Sequence, residues 1–183
     1  MEVSIIIPAY NEEVNIEKAI SEVEEVLSKE GIAYEIIVVD DGSKDATYNL
    51  ASGTAAKVLR HEVNRGKGAA VRTGIDASQG KIIVIQDADL TIPASFIPIL
   101  LKRMVQNGYD IANASRLSGE IITGAMPHYR KLGNSLYAKI TSLLTRQHLT
   151  DTLSGQKAFK REVFQGWKLE TDGWPDFEII FKA

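Results

Sequence analysis

The triplet Asp87-Ala88-Asp89 carries the sharpest chemistry in the chain. Two carboxylates two residues apart, one residue past the β-branched run Lys81 to Ile85, can present oxygens to one hard cation. Mg²⁺ and Mn²⁺ prefer oxygen ligands, and Mg²⁺ is usually held by one or two carboxylates together with substrate phosphates. A cation there would neutralise charge growing on a diphosphate leaving group. A solvated turn with two acids reads the same in isolation. Asp40-Asp41-Gly42-Ser43 closes a second run, and its carboxylates can accept hydrogen bonds from a base or ribose, or simply form a turn. Gly66-Lys67-Gly68 can bring backbone N–H groups and an ammonium to a phosphate at a helix entry. It is not a dinucleotide fingerprint, because Val71 stands where the third glycine would be, and the sequence holds no P-loop motif. Arg116 and Arg130 flank a loop containing Gly119, Gly124 and Pro127. Guanidinium groups match phosphate geometry, although a single arginine is by default a surface residue.

Elements that end in these clusters must position them. Val3 to Ile7, Glu35 to Val39 and Lys81 to Ile85 are continuous Val/Ile runs, the pattern of strands buried on both faces of a parallel sheet. Lys57 to Arg60 and Asp110 to Ala114 predict two further strands. Ile16, Ile20, Val23 and Leu27 recur at helical spacing, with Asn11 as the expected cap and Glu12 and Glu13 in the first turn. A short helix is expected over Asp45 to Ala51, another after Gly66, and a third through Phe96, Ile99, Leu100 and Met104. Strands alternating with helices imply βαβ units, and ligands of such sheets bind beyond the carboxyl ends of the strands. The Asn11, Asp40 and Asp87 clusters should therefore line one edge.

The second half is less regular. Leu132, Leu136, Ile140 and Leu143 predict a helix of roughly five turns. Asp151 to Gly155 reads as a polar turn, and Ala158-Phe159 as a strand tip. Trp167 and Trp174 read as packing residues. Asp176 opens what looks like a helix running to Ala183, so the expectation is a single domain over 1–183, truncated at its C-terminus.

Composition narrows the classes. The 183 residues carry a net charge of −3 and no cysteine. Bulk positive charge for nucleic acid, disulfides, thiol catalysis and zinc–thiolate sites are thereby excluded. No apolar stretch approaches the ~20 residues that span a bilayer. His61, His128 and His148 have no metal-ligand spacing and read as surface or packing residues.

Taken in order, VSIIIPAYNEE, YEIIVVDDGSKDAT, NRGKGAAVRTGI, GKIIVIQDADLTIP, Ser115-Arg116, YRKLGN and DTLSGQKAFKREV resemble glycosyltransferase family 2. Within it they look like the polyprenyl-phosphate (dolichyl-phosphate) sugar transferases. The resemblance runs from Val3 to Val163. It implies an α/β fold of GT-A type, a three-layer Rossmann-like arrangement with a mostly parallel central sheet. It implies that Pro8, Tyr10, Glu12 and Asp41 hold the nucleotide, with Val39 and Lys67 close by and Ala88 against it. Asp87 and Asp89 would coordinate Mg²⁺ or Mn²⁺, Asp89 being catalytic. Thr91 stands where similar mannosyl members often carry Gln, and its hydroxyl is a shorter ligand. Arg116 and Arg130 would bind the acceptor phosphate. Similar proteins continue beyond this length with another strand, basic residues and often membrane-associated helices. The implied partners are a nucleotide sugar and a polyprenyl phosphate at the cytoplasmic face of a membrane, with no nucleic acid. The stretches NRGKGAAVRTGI and DTLSGQKAF look closer to the glucosyl branch, favouring UDP-glucose over GDP-mannose, with UDP-N-acetylglucosamine a third candidate. A hydroxyl acceptor, with Asp176 or Glu178 as base, and a non-catalytic nucleotide-sugar-binding subunit are the alternatives.

Overall fold

The structure is a computed structural model that describes residues 2–115, 136, 138–143, 154–164 and 170–172. Six strands form one sheet: β1 (Glu2–Ala9), β2 (Ala33–Asp40), β3 (Lys57–Arg60), β4 (Ile82–Ile85), β5 (Ile111–Asn113) and β6 (Lys157–Lys160). Their order is β3-β2-β1-β4-β6-β5. The first four are mutually parallel; β6 runs antiparallel between β4 and β5. The expected mostly parallel sheet is therefore present, and the Ala158-Phe159 strand tip is an interior strand.

Alternation along β1 assembles the layers. Ile5 and Ile7 face one side, where they pack with α1 (Ile16–Lys29) and α4 (Ile97–Asn107); Ile6 faces the other and packs with Val71 of α3 (Lys67–Ala77). Ile37 and Val39 of β2 likewise meet Ala70 of α3. The α3 layer lies very close: a Cβ on Gly74 would come within 2.5 Å of Ile6 Cγ2. Helices thus cover both faces of the sheet, which makes three layers.

Packing, not capping, holds α1. Its N-cap residue Asn15 makes no side-chain cap bond, a contribution of about 1 kcal/mol when present. Ile16, Ile20, Val23 and Leu27 are at most 1% exposed, and burying such side chains contributes about 1.5–3 kcal/mol apiece. The stripe outweighs the missing cap several-fold. The helix also starts later than expected. Asn11 does not cap it, and Glu12 and Glu13 lie before it; Glu17 is the acid of the first turn. Asn11 instead has φ 55°, a left-handed conformation that Asn tolerates better than most residues. There its Oδ1 accepts the Lys44 N–H at 2.9 Å, and its own N–H donates to Ser43 Oγ at 2.9 Å. It ties the loop after β1 to the loop after β2.

The second of these loops leads into α2 (Thr47–Ser52), which starts two residues later than expected, while β3 keeps the expected bounds. Part of the helix expected through Leu132 is described, with residues 138–143 helical; Leu132 itself lies outside the described residues.

Candidate functional site

A cleft of about 450 Å³ opens at the carboxyl ends of β1, β2 and β4. Pro8, Tyr10, Glu12, Asp41, Lys67, Asp87, Ala88 and Asp89 all line it, joined by Ala9, Asn64, Gly66 and Ala70. Eight expected residues from four stretches of chain thus share one wall. The parallel topology does this, because each strand of β1, β2 and β4 delivers its following loop to the same edge.

Asp41 is the hub of the β2 side. It is 3% exposed, and its Oδ1 accepts His61 Nδ1–H at 2.6 Å and the Arg65 N–H at 3.0 Å; Oδ2 accepts the Gly66 N–H at 2.8 Å. A carboxylate only accepts, so the proton of that imidazole bond sits on Nδ1. The other ring nitrogen, Nε2, lies 2.9 Å from Thr73 Oγ1. Asp41 also donates its N–H to Ala9 O at 2.8 Å. Asp41 thereby joins the end of β1, through its backbone N–H, and the start of α3, through its carboxylate, to the end of β2. Its neighbour Asp40 is turned away from the cleft. It accepts the Ser43 N–H at 3.1 Å and lies 3.0 Å from Arg60 Nε, whose guanidinium stacks on Tyr48 at 4.6 Å. Of the two acids, Asp41 alone lines the cleft. His61, expected as an ordinary packing or surface residue, is instead the partner of that acid.

The glycine-rich entry differs from expectation in how its N–H groups are used. Gly66, at φ 94°, gives its N–H to Asp41. Gly68 gives its N–H to Asp172 O at 2.7 Å, and a Cβ there would lie 2.0 Å from Thr171 O. First-turn amides need acceptors, and the chain supplies these two internally. Between them Lys67 lines the cleft, and its Nζ lies 2.6 Å from Asp87 Oδ1.

The acidic turn after β4 is half-open. Asp87 is partly buried, Ala88 buried and Asp89 exposed. Asp89 Oδ1 accepts the Thr91 N–H at 2.9 Å, and Leu90 takes φ 52°. Thr91 thus braces Asp89 through its backbone and lies outside the cleft lining. Among the described residues, no three His, Cys, Asp or Glu side chains cluster as a closed metal cage. Two carboxylates on an open cleft are nevertheless the donor set a hard cation uses when phosphate oxygens complete its shell. The residues present fit Mg²⁺ or Mn²⁺ in that shared mode.

Val39 is fully buried against Ala70, beneath the cleft. Arg116, Arg130, Trp167, Trp174, Asp176 and Glu178 lie outside the described residues. Ser154 and Gly155, expected in a polar turn, are buried behind the acidic turn. Gln86 and Gln156, at most 1% exposed, hydrogen-bond each other there at 2.6 Å. Sequence patterns offered no sign of that pair: one follows a strand and the other precedes one, 70 residues apart.

The model of the family described as Glycosyl transferase family 2 matches residues 4–167. A dolichol-phosphate mannosyltransferase of Pyrococcus furiosus is 37% identical over all of this chain, which spans 53% of that relative. A dolichyl-phosphate hexose transferase of Haloferax volcanii is 30% identical over 88% of this chain and 68% of its own length. Among solved structures, glucosyl-3-phosphoglycerate synthase from Mycobacterium tuberculosis, in complex with Mn²⁺, uridine diphosphate and glucosyl-3-phosphoglycerate, superposes with a TM-score of 0.76. The identity there is 24%, over 97% of this chain and 63% of that one. That likeness shows the GT-A fold.

Proposed function

This chain belongs to glycosyl transferase family 2, and on that premise we propose that it binds the donor for a hexosyltransferase acting on a polyprenyl or dolichyl phosphate. The observation that carries the proposal is the meeting of Lys67 Nζ with Asp87 at 2.6 Å on the wall of the cleft, beside exposed Asp89. A cation and two acids at the carboxyl edge of a parallel sheet suit a nucleoside diphosphate held through a shared divalent metal. The names of the Pyrococcus and Haloferax relatives support the lipid-phosphate acceptor. The chain spans about half the length of the first of these, so the acceptor side belongs to the proposal and not to the fold.

In this reading Pro8, Tyr10, Glu12 and Ala88 form the nucleotide's walls, and Asp41 holds the loops around it. Asp87 and Asp89 would hold Mg²⁺ or Mn²⁺, which would supply positive charge to the departing diphosphate. Lys67 places a second positive charge beside it. Arg116 and Arg130 offset repulsion between the acceptor phosphate and the donor. A phosphate monoester is largely ionised at pH 7, its second pKa being about 6, so it attacks without a general base. Its oxygen bonds to the anomeric carbon as the bond to the diphosphate breaks on the opposite side, and configuration inverts. UDP-glucose is the favoured donor, on the likeness of the Asn64–Ile75 and Asp151–Phe159 stretches to glucosyl members. GDP-mannose stands second, on the name of the Pyrococcus relative. Such an acceptor implies work at a membrane, and the cytoplasmic face is the side proposed; no helix among the described residues is long and apolar enough to cross one.

The test incubates the full-length protein with polyprenyl phosphate, Mg²⁺ or Mn²⁺, and labelled UDP-glucose, UDP-N-acetylglucosamine or GDP-mannose in separate tubes. Label entering the organic phase with one donor, and lost in Asp89→Ala, is expected; Arg116→Ala and Arg130→Ala should weaken acceptor binding. Label staying in water for every donor, despite measured donor binding, would move the acceptor to a hydroxyl or the chain to a nucleotide-sugar binder.

A further inference from the structure

The buried turn in front of β6 faces the acidic turn with a regularity the sheet itself imposes. β4 and β6 pair antiparallel, with Ile85 opposite Lys157. Continuing that register sets Gln156 across from Gln86 and Gly155 across from Asp87. Gln86 donates from Nε2 to Asp87 O at 3.1 Å and Ile92 O at 3.0 Å, while its Oε1 accepts Gln156 Nε2 at 2.6 Å. Gln156 Nε2 also donates to Pro93 O at 3.2 Å. Two amides thus brace both feet of the 87–92 turn. The orientation is fixed, since flipping Gln86 would turn its oxygen onto two carbonyls. Opposite the carboxylate itself, a Cβ on Gly155 would lie 1.5 Å from Asp87 Oδ2 and 2.3 Å from its Cγ. Gly155 is not at a positive φ. Glycine is required there for space alone.

We propose that Gly155 and Gln156 are positioning residues: the turn before β6 is the seat that aims Asp87 at the donor and its cation, Oδ2 lying over Gly155 and Oδ1 toward Lys67. The proposal rests on the reading of Asp87 as a ligand for the metal–diphosphate group. Its distinguishing feature is mechanical. The atoms a Cβ would strike belong to the end of a side chain that can swing, not to backbone. The fold can therefore absorb Gly155→Ala, and the loss falls on the direction of the carboxylate.

The experiment uses the full-length protein and measures binding of UDP with Mn²⁺ by calorimetry, Mn²⁺ binding by electron paramagnetic resonance, and melting temperature. Gly155→Ala is expected to keep the melting temperature within about 3 °C of wild type, because the atoms its Cβ meets belong to a side chain that can swing. It should weaken Mn²⁺–UDP binding at least tenfold and raise the donor KM more than it lowers kcat. In an Asp87→Ala background the same substitution should change nothing further, because its effect runs through that carboxylate. Should Gly155→Ala melt early, Asp87→Ala in the same chain should restore the melting temperature; failure to restore it overturns the seat. Wild-type-like Mn²⁺–UDP binding in Gly155→Ala, alongside loss in Asp89→Ala, overturns the seat and leaves the proposed function standing. Absence of binding of both UDP and GDP with Mn²⁺ in wild type overturns both.

Discussion

Replacing His61 with alanine removes both hydrogen bonds of a buried imidazole and leaves Asp41 with two backbone donors. The bond from Nδ1–H to the Asp41 carboxylate, 2.6 Å long and buried, belongs to the class that contributes about 1.5–3 kcal/mol. The Nε2 contact with Thr73 adds little, because Thr73 is partly exposed and water can replace the ring. A net loss of about 2–3 kcal/mol in a domain of this size lowers the melting temperature by roughly 4–12 °C. Arg65 and Gly66 still grip Asp41, so Lys67 should shift little and UDP affinity should fall less than about tenfold. In His61→Asn the side-chain amide nitrogen stands near the position of Nδ1, and about half of the lost melting temperature should return. Scanning calorimetry of the three proteins checks this. A loss under 2 °C in His61→Ala, or an asparagine variant no better than alanine, would refute the assignment of His61 as the brace of Asp41.

Asp89 is exposed and bonds only the Thr91 N–H among the described contacts; Asp89→Ala should lower turnover about 10²–10³-fold, as for loss of one electrostatic stabiliser, with a melting temperature near wild type. Lys67→Met should weaken UDP binding by about 1.5–3 kcal/mol, the range for a charged hydrogen bond, measured by calorimetry. Glu35 supplies a pH signature. Burial raises its pKa, but bonds from Ser4 Oγ, Gln79 N–H and Gly80 N–H, with Lys57 nearby, outweigh that and hold it below the ordinary 4.5. A lowered folded pKa means stability that is complete above the unfolded value and lost as pH falls through the folded one. The melting-temperature gap between wild type and Glu35→Gln should be widest near neutral pH and shrink as pH falls below the ordinary glutamate value of 4.5.

Much of this was legible in the residues because the core strands are short continuous β-branched runs, each ending in polar clusters. A parallel sheet turns that linear pattern into one shared edge, which places the Asn11, Asp40 and Asp87 clusters together, while Pro8 and Lys67 join them through the family resemblance. What was hidden depended on distant chain. Gly68 was expected to offer its amide to phosphate, but Asp172, far along the chain, takes it. Gln156 meets Gln86 only because β6 enters between β4 and β5. Asn11 carries cap chemistry, and only its left-handed backbone shows that it ties two loops instead. His61 stands in no periodic pattern, and its meaning comes from Asp41 alone.

The insertion of β6 also has a consequence in time. β5 ends at Asn113 and β6 begins at Lys157, so more than forty residues must be added after β5 before its partner exists. At ~5–20 residues per second a ribosome needs roughly 2–9 s for that. Throughout the interval β4 keeps one bare edge, an unpaired ladder of amides that can recruit a foreign strand. The acidic turn meanwhile lacks the surface on which it is set. Nascent chains stalled before and after β6 should differ sharply in solubility, and only the longer should hold its nucleotide.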